Sequence, residues 1–569
     1  MNQAALRSLR IQLAGHRQQA LERSRQRLMI GVLLFAAVAI VLALRLMDLA
    51  VLKAIDRNVG RTDILAAVRP PRADIIDRNG EVLATTLKVQ ALAVRPQKII
   101  GDKEELARRI VAVLPDLDLA FVRRQLYSHS KFRYITRRLT PEQVSRINAI
   151  GEPGLEFEDE AERVYPNGEL ASHVLGYTNI DGKGMAGIER AFNDRLSAED
   201  QLSKPLQLSI DVRVQHALEY ELNAAVKKFN ALGASGIIMD VHTGELLAMV
   251  SLPSFDPNAV SHSPSSAWFN RATQGVYELG STFKTFTMAM ALEEGTITLG
   301  KKYDATKPLQ AGRFRIRDDH PENRWLTVPE IFMYSSNIGT AQIALDVGEE
   351  KQQAYMRKLG FLEPAQIELK ESAQPLYPNP WGKISTMTIS YGHGIAVTPL
   401  HLANGIATVV NGGVWRPTTL MKVPAGTEPA TGERIFSEET SRTMRMLMRL
   451  VAVAGTGKQG DAPGYRIGGK TGTAEKPGVG GYQRKSLITT FAAAFPMDNP
   501  KYVVIATLDE PKGIKETYGF ATAGWNAAPT VKAVVQRVGP ILGIEPNVGK
   551  DVDLSPLYPY IAEKANLTG

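Results

Sequence analysis

The sequence predicts a large α/β domain carried behind a smaller mixed α+β domain and a single membrane anchor. Three observations predict it. An uncharged apolar run, Leu28 to Leu44, follows an arginine-rich start. Strand-like runs in the part of the chain beyond about residue 205 lie near its two ends, with helical stretches between them. The 569 residues, 44% hydrophobic and 22% charged, have the composition of a folded globular protein.

Residues 1–27 read as a basic cytoplasmic tail. Arg7, Arg10, Arg17, Arg23, Arg25 and Arg27 stand there against Glu22, which accounts for five of the eight net positive charges. The rest of the chain is close to neutral, so no basic stripe speaks for nucleic acid. Residues 28–50 read as the anchor, long enough to cross a hydrocarbon core when the run continues past Arg45. The arginines before it put the N-terminus in the cytoplasm. A cleaved signal peptide is the competing reading, but the n-region is long and no A-x-A-type site follows. Everything beyond about residue 60 is then extracytoplasmic, in a membrane protein with a single span. The chain has no cysteine, which excludes disulfides, thiol nucleophiles and zinc–thiolate sites.

Residues 60–205 form the smaller domain, rich in charge and in turns such as "DRNG" and "YPNG". "VQALAV" reads as a strand and "KEELARRIVAVL" as an amphipathic helix, and the acid run Glu156, Glu158, Asp159, Glu160 as a solvated turn. Residues 206–545 form the α/β domain. "PLQLSIDVRVQHALEYELNAAVKKF" gives a strand, a helix cap at Asp211 and a long helix. "GASGIIMDVHTGELLAMVSL" gives a hairpin turning at His242-Thr243-Gly244. Far downstream, "YRIGGKTGTAE" and "KYVVIATLDEP" read as two more strands. Residues 546–569 read as a C-terminal tail.

Three short motifs carry chemistry. In "ELGSTFKTF", Ser281 and Lys284 stand i and i+3 on a helix that starts after Gly280, so their side chains touch, with Ser281 at the positive end of the helix dipole. An apolar wall and a second cation would lower the pKa of Lys284 and let its amine take the serine proton. In "MYSSNIG", Ser335 and Asn337 follow a capping box at Thr327 to Glu330, and a short helix that then breaks would present them at a loop. In "YRIGGKTGTAEK", an edge strand would offer Lys470, Thr471 and Thr473 as a cation and two hydroxyls, while Gly469 and Gly472 let another backbone lie close. Alone, the first two read better as a cap with a snorkelling lysine and as a helix stop.

The third also spells a phosphate loop, Gly464 to Thr471. A phosphate loop must open into a helix. Here Gly472, Pro477, Gly478, Gly480 and Gly481 forbid one, and the nucleotide reading fails. Nine histidines include no HExxH, and no G-x-S-x-G is present, so neither a metal hydrolase nor a hydrolase elbow is supported.

S-x-x-K, S-x-N and K-T-G in that order on one chain resemble the penicillin-binding proteins. With "RVYPNGELASHVLGYTNIDGKGMAGIE", "RADIIDRNG" and "SYGHGIAVTPLHLA" alongside, the chain resembles class B members of the division-specific type, from the anchor to about residue 540. It departs from that pattern at Ala73, where the signature has glycine, and at Leu279, where proline usually precedes the nucleophile's glycine.

The resemblance implies a penicilloyl-serine transferase domain, with an antiparallel-rich mixed sheet flanked by helices, on an elongated pedestal of the dimerisation type. It implies D,D-transpeptidation of peptidoglycan stem peptides in septal cell-wall synthesis, without metal or cofactor. Ser281 would be the nucleophile and Lys284 its base. Ser335 with Lys470 would pass a proton to the leaving amine, and Asn337 would orient Lys284 and the substrate. Thr471, Gly472 and Thr473 would bind the substrate, and the main-chain amides of Ser281 and Thr473 would form the oxyanion hole. β-Lactams would acylate Ser281. A SEDS-type glycan polymerase and other division proteins are the implied membrane partners. The alternatives are an elongation-specific transpeptidase, or a sensor or scaffold that is acylated without turnover. A β-lactamase would need a water-activating base that no motif supplies, and a carboxypeptidase fits the large N-terminal domain less well.

Overall fold

The computed structural model describes residues 71–562 apart from 313, 425, 427–429, 479 and 480, together with Met29, Leu33 and 36–42. The last of these are helical and exposed. No helix among the described residues is long and apolar enough to cross a membrane, and most of the expected anchor lies outside them.

The N-terminal module is a twisted sheet with a small helical core. Strands β1 (Ile75–Ile76), β2 (Val82–Val94), β3 (Arg133–Leu139), β4 (Leu155–Val164) and β5 (Leu206–Gln207) make it. β2 pairs antiparallel with β1, β3 and β4, and β1 pairs in parallel with β5. Helices α1 (Lys103–Val113), α2 (Leu119–Leu126) and α3 (Pro141–Asn148) bury Leu106, Ile110, Val122, Leu126 and Ile147 against Leu92, Val94 and Ile135. The acid run expected as a solvated turn is instead β4. Its carboxylates face a row of arginines: Glu156 meets Arg95 at 2.6 Å and Glu160 meets Arg137 at 2.7 Å. Cross-strand charge pairing makes this acidic sequence compatible with a strand.

The "DRNG" turn joins this module to the next one. Asp77 is fully buried; its Oδ1 accepts from the amides of Asn79 (2.6 Å) and Glu81 (2.9 Å). Its Oδ2 accepts from the Val212 amide at 3.1 Å, the first residue of helix α4 (Val212–Phe229). Asp211 caps the same helix by accepting from Arg213 N, as the sequence predicts. A signature turn of one module thus serves as an extra N-cap for the other.

The second module has one five-stranded antiparallel sheet. β6 (Gly233–Asp240) and β7 (Leu246–Leu252) form the expected hairpin. Helices α5 (Lys284–Glu293), α6 (Val328–Met333), α7 (Asn337–Val347), α8 (Pro399–Val410) and α9 (Glu438–Ala454) follow. The chain then returns to the sheet as β8 (Gly468–Gly478), β9 (Gly481–Phe495) and β10 (Tyr502–Asp509), and closes with α10 (Ala527–Ile541). The strand order is β8-β9-β10-β6-β7, so early and late segments do build one sheet and β8 lies at its edge. Between the two expected late strands lies β9, a long strand that the sequence does not single out.

Strand periodicity explains the three layers. Ile237 and Met239 of β6 join a cluster with Phe283, Phe286 and Leu402, whereas Ile238 joins one with Leu218, Leu222, Val531 and Val535. Both faces are therefore covered, by α4 and α10 on one side and by the central helices on the other. α5 is apolar on nearly every side and is buried accordingly at the middle of its layer.

Candidate active site

Two turns and the edge strand β8 meet at the site. The first is a 3-10 turn, Gly280–Phe283, that runs into α5. Ser281 therefore stands one turn ahead of the α-helix rather than in it, yet its Oγ is 3.0 Å from Lys284 Nζ. Lys284, the first residue of α5, is fully buried. Leu279, where proline was expected, is buried in the main core, and its carbonyl accepts from Thr282 Oγ1 at 2.9 Å. Packing and that hydrogen bond fix the loop that a proline ring would have stiffened.

The second turn follows α6, whose capping box forms as predicted between Thr327 and Glu330. Helix α6 stops because Ser335 adopts φ +63°, a left-handed conformation that costs a non-glycine residue free energy. In that conformation both its carbonyl and its hydroxyl face Lys284: Nζ donates to Ser335 O and lies 3.0 Å from Ser335 Oγ. Ser336 caps α7 by accepting from Gly339 N, which leaves Asn337 as the first helical residue with Oδ1 2.7 Å from Lys284 Nζ.

The third element is β8. Lys470, fully buried, brings Nζ to 2.8 Å from Ser335 Oγ, so that hydroxyl sits between two lysine amines. The structure thus brings Ser281, Lys284, Ser335, Asn337 and Lys470 into one hydrogen-bonded chain.

The hydrogen bonds assign donors. Ser335 O and Asn337 Oδ1 only accept, and the amide of Asn337 is oriented by Nδ2 donating to Arg317 O at 2.9 Å. A neutral Lys284 amine spends both N–H bonds on those two oxygens. Its lone pair is then left for a hydroxyl hydrogen, that of Ser281 or of Ser335. Burial lowers the pKa of Lys284 to about 7, against the opposing pull of Asp318 and Asp319. The second cation acts the other way round from the expectation: Lys470 is held well below its usual value, first by burial and then by the charge of Lys284. A free amine at neutral pH beside a serine is the arrangement an activated nucleophile requires.

Gly472 explains why the strand can come so close. A Cβ there would lie 2.2 Å from Leu279 O and 2.8 Å from Thr282 Cγ2. The backbone that needs this glycine is the chain's own nucleophile loop, not an incoming peptide. Gly469 likewise faces the neighbouring strand, with a Cβ meeting Ala492 O at 2.6 Å. The main chain of Thr473 lies against Gly280, whose Cβ would be 2.7 Å from Thr473 O, so the amides of Thr473 and Ser281 belong to adjoining segments. Thr471 and Thr473 share one face of the strand by period two. Thr471 Oγ1 is 2.7 Å from Thr456 Oγ1, and Thr473 Oγ1 accepts from Ala523 N at 3.0 Å.

Sequence reasoning missed three participants. Thr456 follows α9 and has no motif of its own. Asp318 accepts from Ser336 Oγ (2.7 Å) and Ile338 N (2.9 Å), gripping the second turn from outside. Glu278 sits at the rim, accepting from Gly394 N (2.8 Å) and Tyr482 Oη (2.9 Å), with the His393 ring stacked on Tyr482 at 4.7 Å between centroids. "SYGHG" carries part of the family resemblance without a role legible in its residues; one role is to pack Gly392 on the nucleophile loop, where a Cβ would come within 2.1 Å of Gly280 O.

Comparison with known proteins gives concordant results. Residues 234–536 match the penicillin-binding protein transpeptidase domain, and residues 67–206 match the penicillin-binding protein dimerisation domain. The chain is 41% identical over 488 residues to the probable peptidoglycan D,D-transpeptidase FtsI of Caulobacter vibrioides, covering 84% of this chain and 82% of that one. It is 31% identical over 512 residues to the peptidoglycan D,D-transpeptidase FtsI of Escherichia coli, covering 84% and 85%. Among solved structures it is similar to penicillin-binding protein 3 of Mycobacterium tuberculosis complexed with aztreonam, with a TM-score of 0.66, 23% identity and coverage of 84% and 98%. At that identity the likeness speaks for the fold.

Proposed function

This chain belongs to the penicillin-binding protein transpeptidases as a peptidoglycan D,D-transpeptidase of the FtsI group, and from that premise we propose how its side chains run the reaction. Ser281 Oγ attacks the carbonyl of the D-Ala–D-Ala bond while Lys284 Nζ takes its proton. The Oγ–C bond forms, and the oxyanion is held by the main-chain amides of Ser281 and Thr473, a feature whose loss costs roughly 10²–10³ in rate. Collapse breaks the C–N bond, and the departing D-alanine amine receives the proton that Lys284 took, relayed through Ser335 Oγ, which also lies against Lys470. An amine of a second stem peptide then attacks the acyl carbonyl; its C–N bond forms, the C–Oγ bond breaks, and the amine's proton returns through Lys284 to Ser281 Oγ, leaving a cross-link and the free enzyme. Asn337 holds Lys284 in place and offers its amide to the substrate. The Thr471 and Thr473 hydroxyls, beside Gly472, take the substrate carboxylate.

The observation that carries this assignment is the Lys284 amine, 3.0 Å from Ser281 Oγ, with its other donors committed to Ser335 O and Asn337 Oδ1. β-Lactams, which mimic D-Ala–D-Ala, acylate the same serine.

The setting we propose is septal wall synthesis by an inner-membrane protein with a cytoplasmic tail 1–27, an anchor 28–50, a pedestal 60–205 and a transpeptidase domain 206–545. The apolar run Leu28 to Leu44 behind six arginines supports the anchor and its orientation. A SEDS-type polymerase is the membrane partner of this reading, met through the span and the pedestal.

The test is intact-mass spectrometry of the protein after incubation with a penicillin, beside Ser281→Ala, followed by D-alanine release from a stem peptide with an acceptor amine. One drug mass on the wild type alone, mapped to the Ser281 peptide, together with release of D-alanine, is the expected result. An adduct without peptide turnover favours a sensor, and an adduct on the alanine variant removes Ser281 from its role.

A further inference from the structure

The loop before α6 folds back onto the active site, and one carboxylate on it touches the turn that carries two of the five reacting side chains. Asp318 accepts from Ser336 Oγ at 2.7 Å through Oδ2 and from Ile338 N at 2.9 Å through Oδ1. Its neighbour Arg317 presents its carbonyl to Asn337 Nδ2 at 2.9 Å. Residues 335 to 338 are therefore clamped on one side by Lys284 and Lys470 and on the other by residues 317 and 318. The clamp holds Ser335 in its left-handed conformation, which the backbone would not keep unaided.

The loop also brings negative charge to this turn. Lys284 and Lys470 are both fully buried and share Ser335 Oγ, at 3.0 and 2.8 Å. Lys470 comes from β8, and α5 has no further charged residue before Glu293. On the loop, Asp318 is half-buried, while Asp319, Arg317 and His320 are exposed. The acids whose charge reaches Lys284 are Asp318, across the turn, and, more weakly through solvent, Asp319.

We propose that Asp318 is a positioning residue that also acts electrostatically. It holds the turn carrying Ser335 and Asn337 over Lys284, and its negative charge acts on the Lys284 amine. The inference rests on the reading of Lys284 as the base for Ser281. Asp318 and Asp319 are the groups that hold the Lys284 proton against the effect of burial. Removing that charge makes the amine lose its proton at lower pH and makes it a weaker base once free. The two consequences pull the rate in opposite directions at the two ends of the pH range.

Asp318→Asn separates charge from geometry, because the amide oxygen still accepts from Ile338 N and the amide nitrogen reaches Ser336 Oγ. The experiment is the rate of acylation of the full-length protein by a fluorescent penicillin from pH 5.5 to 9, for wild type, Asp318→Asn, Asp319→Asn and Ser281→Ala. For Asp318→Asn the acid limb is expected to move down by on the order of one pH unit. Its plateau rate falls, so the ratio of variant to wild-type rate rises about tenfold from the alkaline to the acid end. Asp319→Asn, exposed, moves the limb the same way by less, and it reads the electrostatic part even where Asp318→Asn is unstable.

A limb that stays at its wild-type position in both variants, with or without a uniform loss of rate, reduces Asp318 to a structural clamp and overturns the proposal. A Ser281→Ala variant that still acylates would instead fault the assignment of the nucleophile.

Discussion

Lys284 Nζ has four oxygen atoms around it, and two of them, Ser335 O and Asn337 Oδ1, only accept. What the residue does next depends on losing a proton, and burial arranges that near neutrality. A charged Lys284 is the inactive form, so acylation is expected to rise with pH through about 7 and to level off above it. Lys284→Arg keeps the charge and the donors but never frees a lone pair, since a guanidinium stays protonated. Penicillin acylation of that variant is expected to drop about 10²–10⁴-fold at every pH, with no alkaline recovery. A rate that recovered above pH 8 would show that something other than Lys284 takes the proton. Gly472 tests closeness instead of chemistry. Gly472→Ala must displace Leu279 O, 2.2 Å from the added atom, and a shift near 1 Å in such a site costs about 10²-fold. Acylation kinetics at an unchanged melting temperature would isolate that effect; wild-type kinetics would mean that the loop gives way freely. Both residues were legible as motif members, because i, i+3 spacing and a glycine in a strand have physical readings of their own. The partner of Gly472 was not legible, since Leu279 is remote in sequence, and Asp318 was hidden for the same reason.

At the scale of an element, the legible features were those written in consecutive residues. The capping box of α6, Thr327 with Glu330, is a four-residue pattern and forms as read. The hairpin of β6 and β7 and the cap of α4 at Asp211 are of the same kind. Strand β9 was not singled out, although Ile488 to Phe491 at its centre are strand formers, because the alanine run Ala492 to Ala494 that follows lacks the β-branched and aromatic residues that announce a strand. Those alanines are fully buried at the middle of the sheet, where packing overrides propensity. The acid run of β4 misled for the complementary reason: its arginine partners come from elsewhere in the chain, Arg95 from just past β2 and Arg137 from β3. The α6 cap also has a functional end, because α6 terminates at the turn carrying Ser335. Thr327→Ala removes the cap acceptor and is expected to cost about 1 kcal/mol of stability by chemical denaturation. Acylation should slow as well, through loosening of Ser335. Loss of stability without any change in acylation would show that the turn is held by Asp318 and the lysines alone.

Over the whole molecule, the segment expected as a tail turns out to be a strap that closes on this same cap. Asp551 receives Arg449, with Nη2 to Oδ2 at 2.6 Å, and Arg449 also holds Asp461 and the Ile467 carbonyl at the entrance to β8. Beyond it Leu554, Leu557 and Ile561 are buried in the main core. Then Tyr560 O accepts from Thr327 Oγ1 at 2.6 Å, and Ala562 N donates to Glu330 Oε1 at 3.0 Å, so both residues of the capping box are tied to this strap. The strap therefore reaches the strand of Lys470 at one end and the helix of Ser335 at the other. A sequence window cannot reveal this, because "DLSPLYPY" has neither helical nor strand period and its contacts lie hundreds of residues away. Ending the chain at residue 550 would strip three buried apolar side chains, each worth about 1.5–3 kcal/mol, and both ties to the cap. The thermal midpoint and the penicillin acylation rate are expected to fall together. Leu557→Ala provides the graded version, at about 2–5 kcal/mol for a fully buried leucine, with the polar ties left in place. If it lowers the midpoint and spares acylation, the strap acts on the site through its hydrogen bonds to Thr327 and Glu330. If both fall in proportion, packing carries the coupling. A truncated chain that melts and acylates as the full one does would remove the strap from any account of the site.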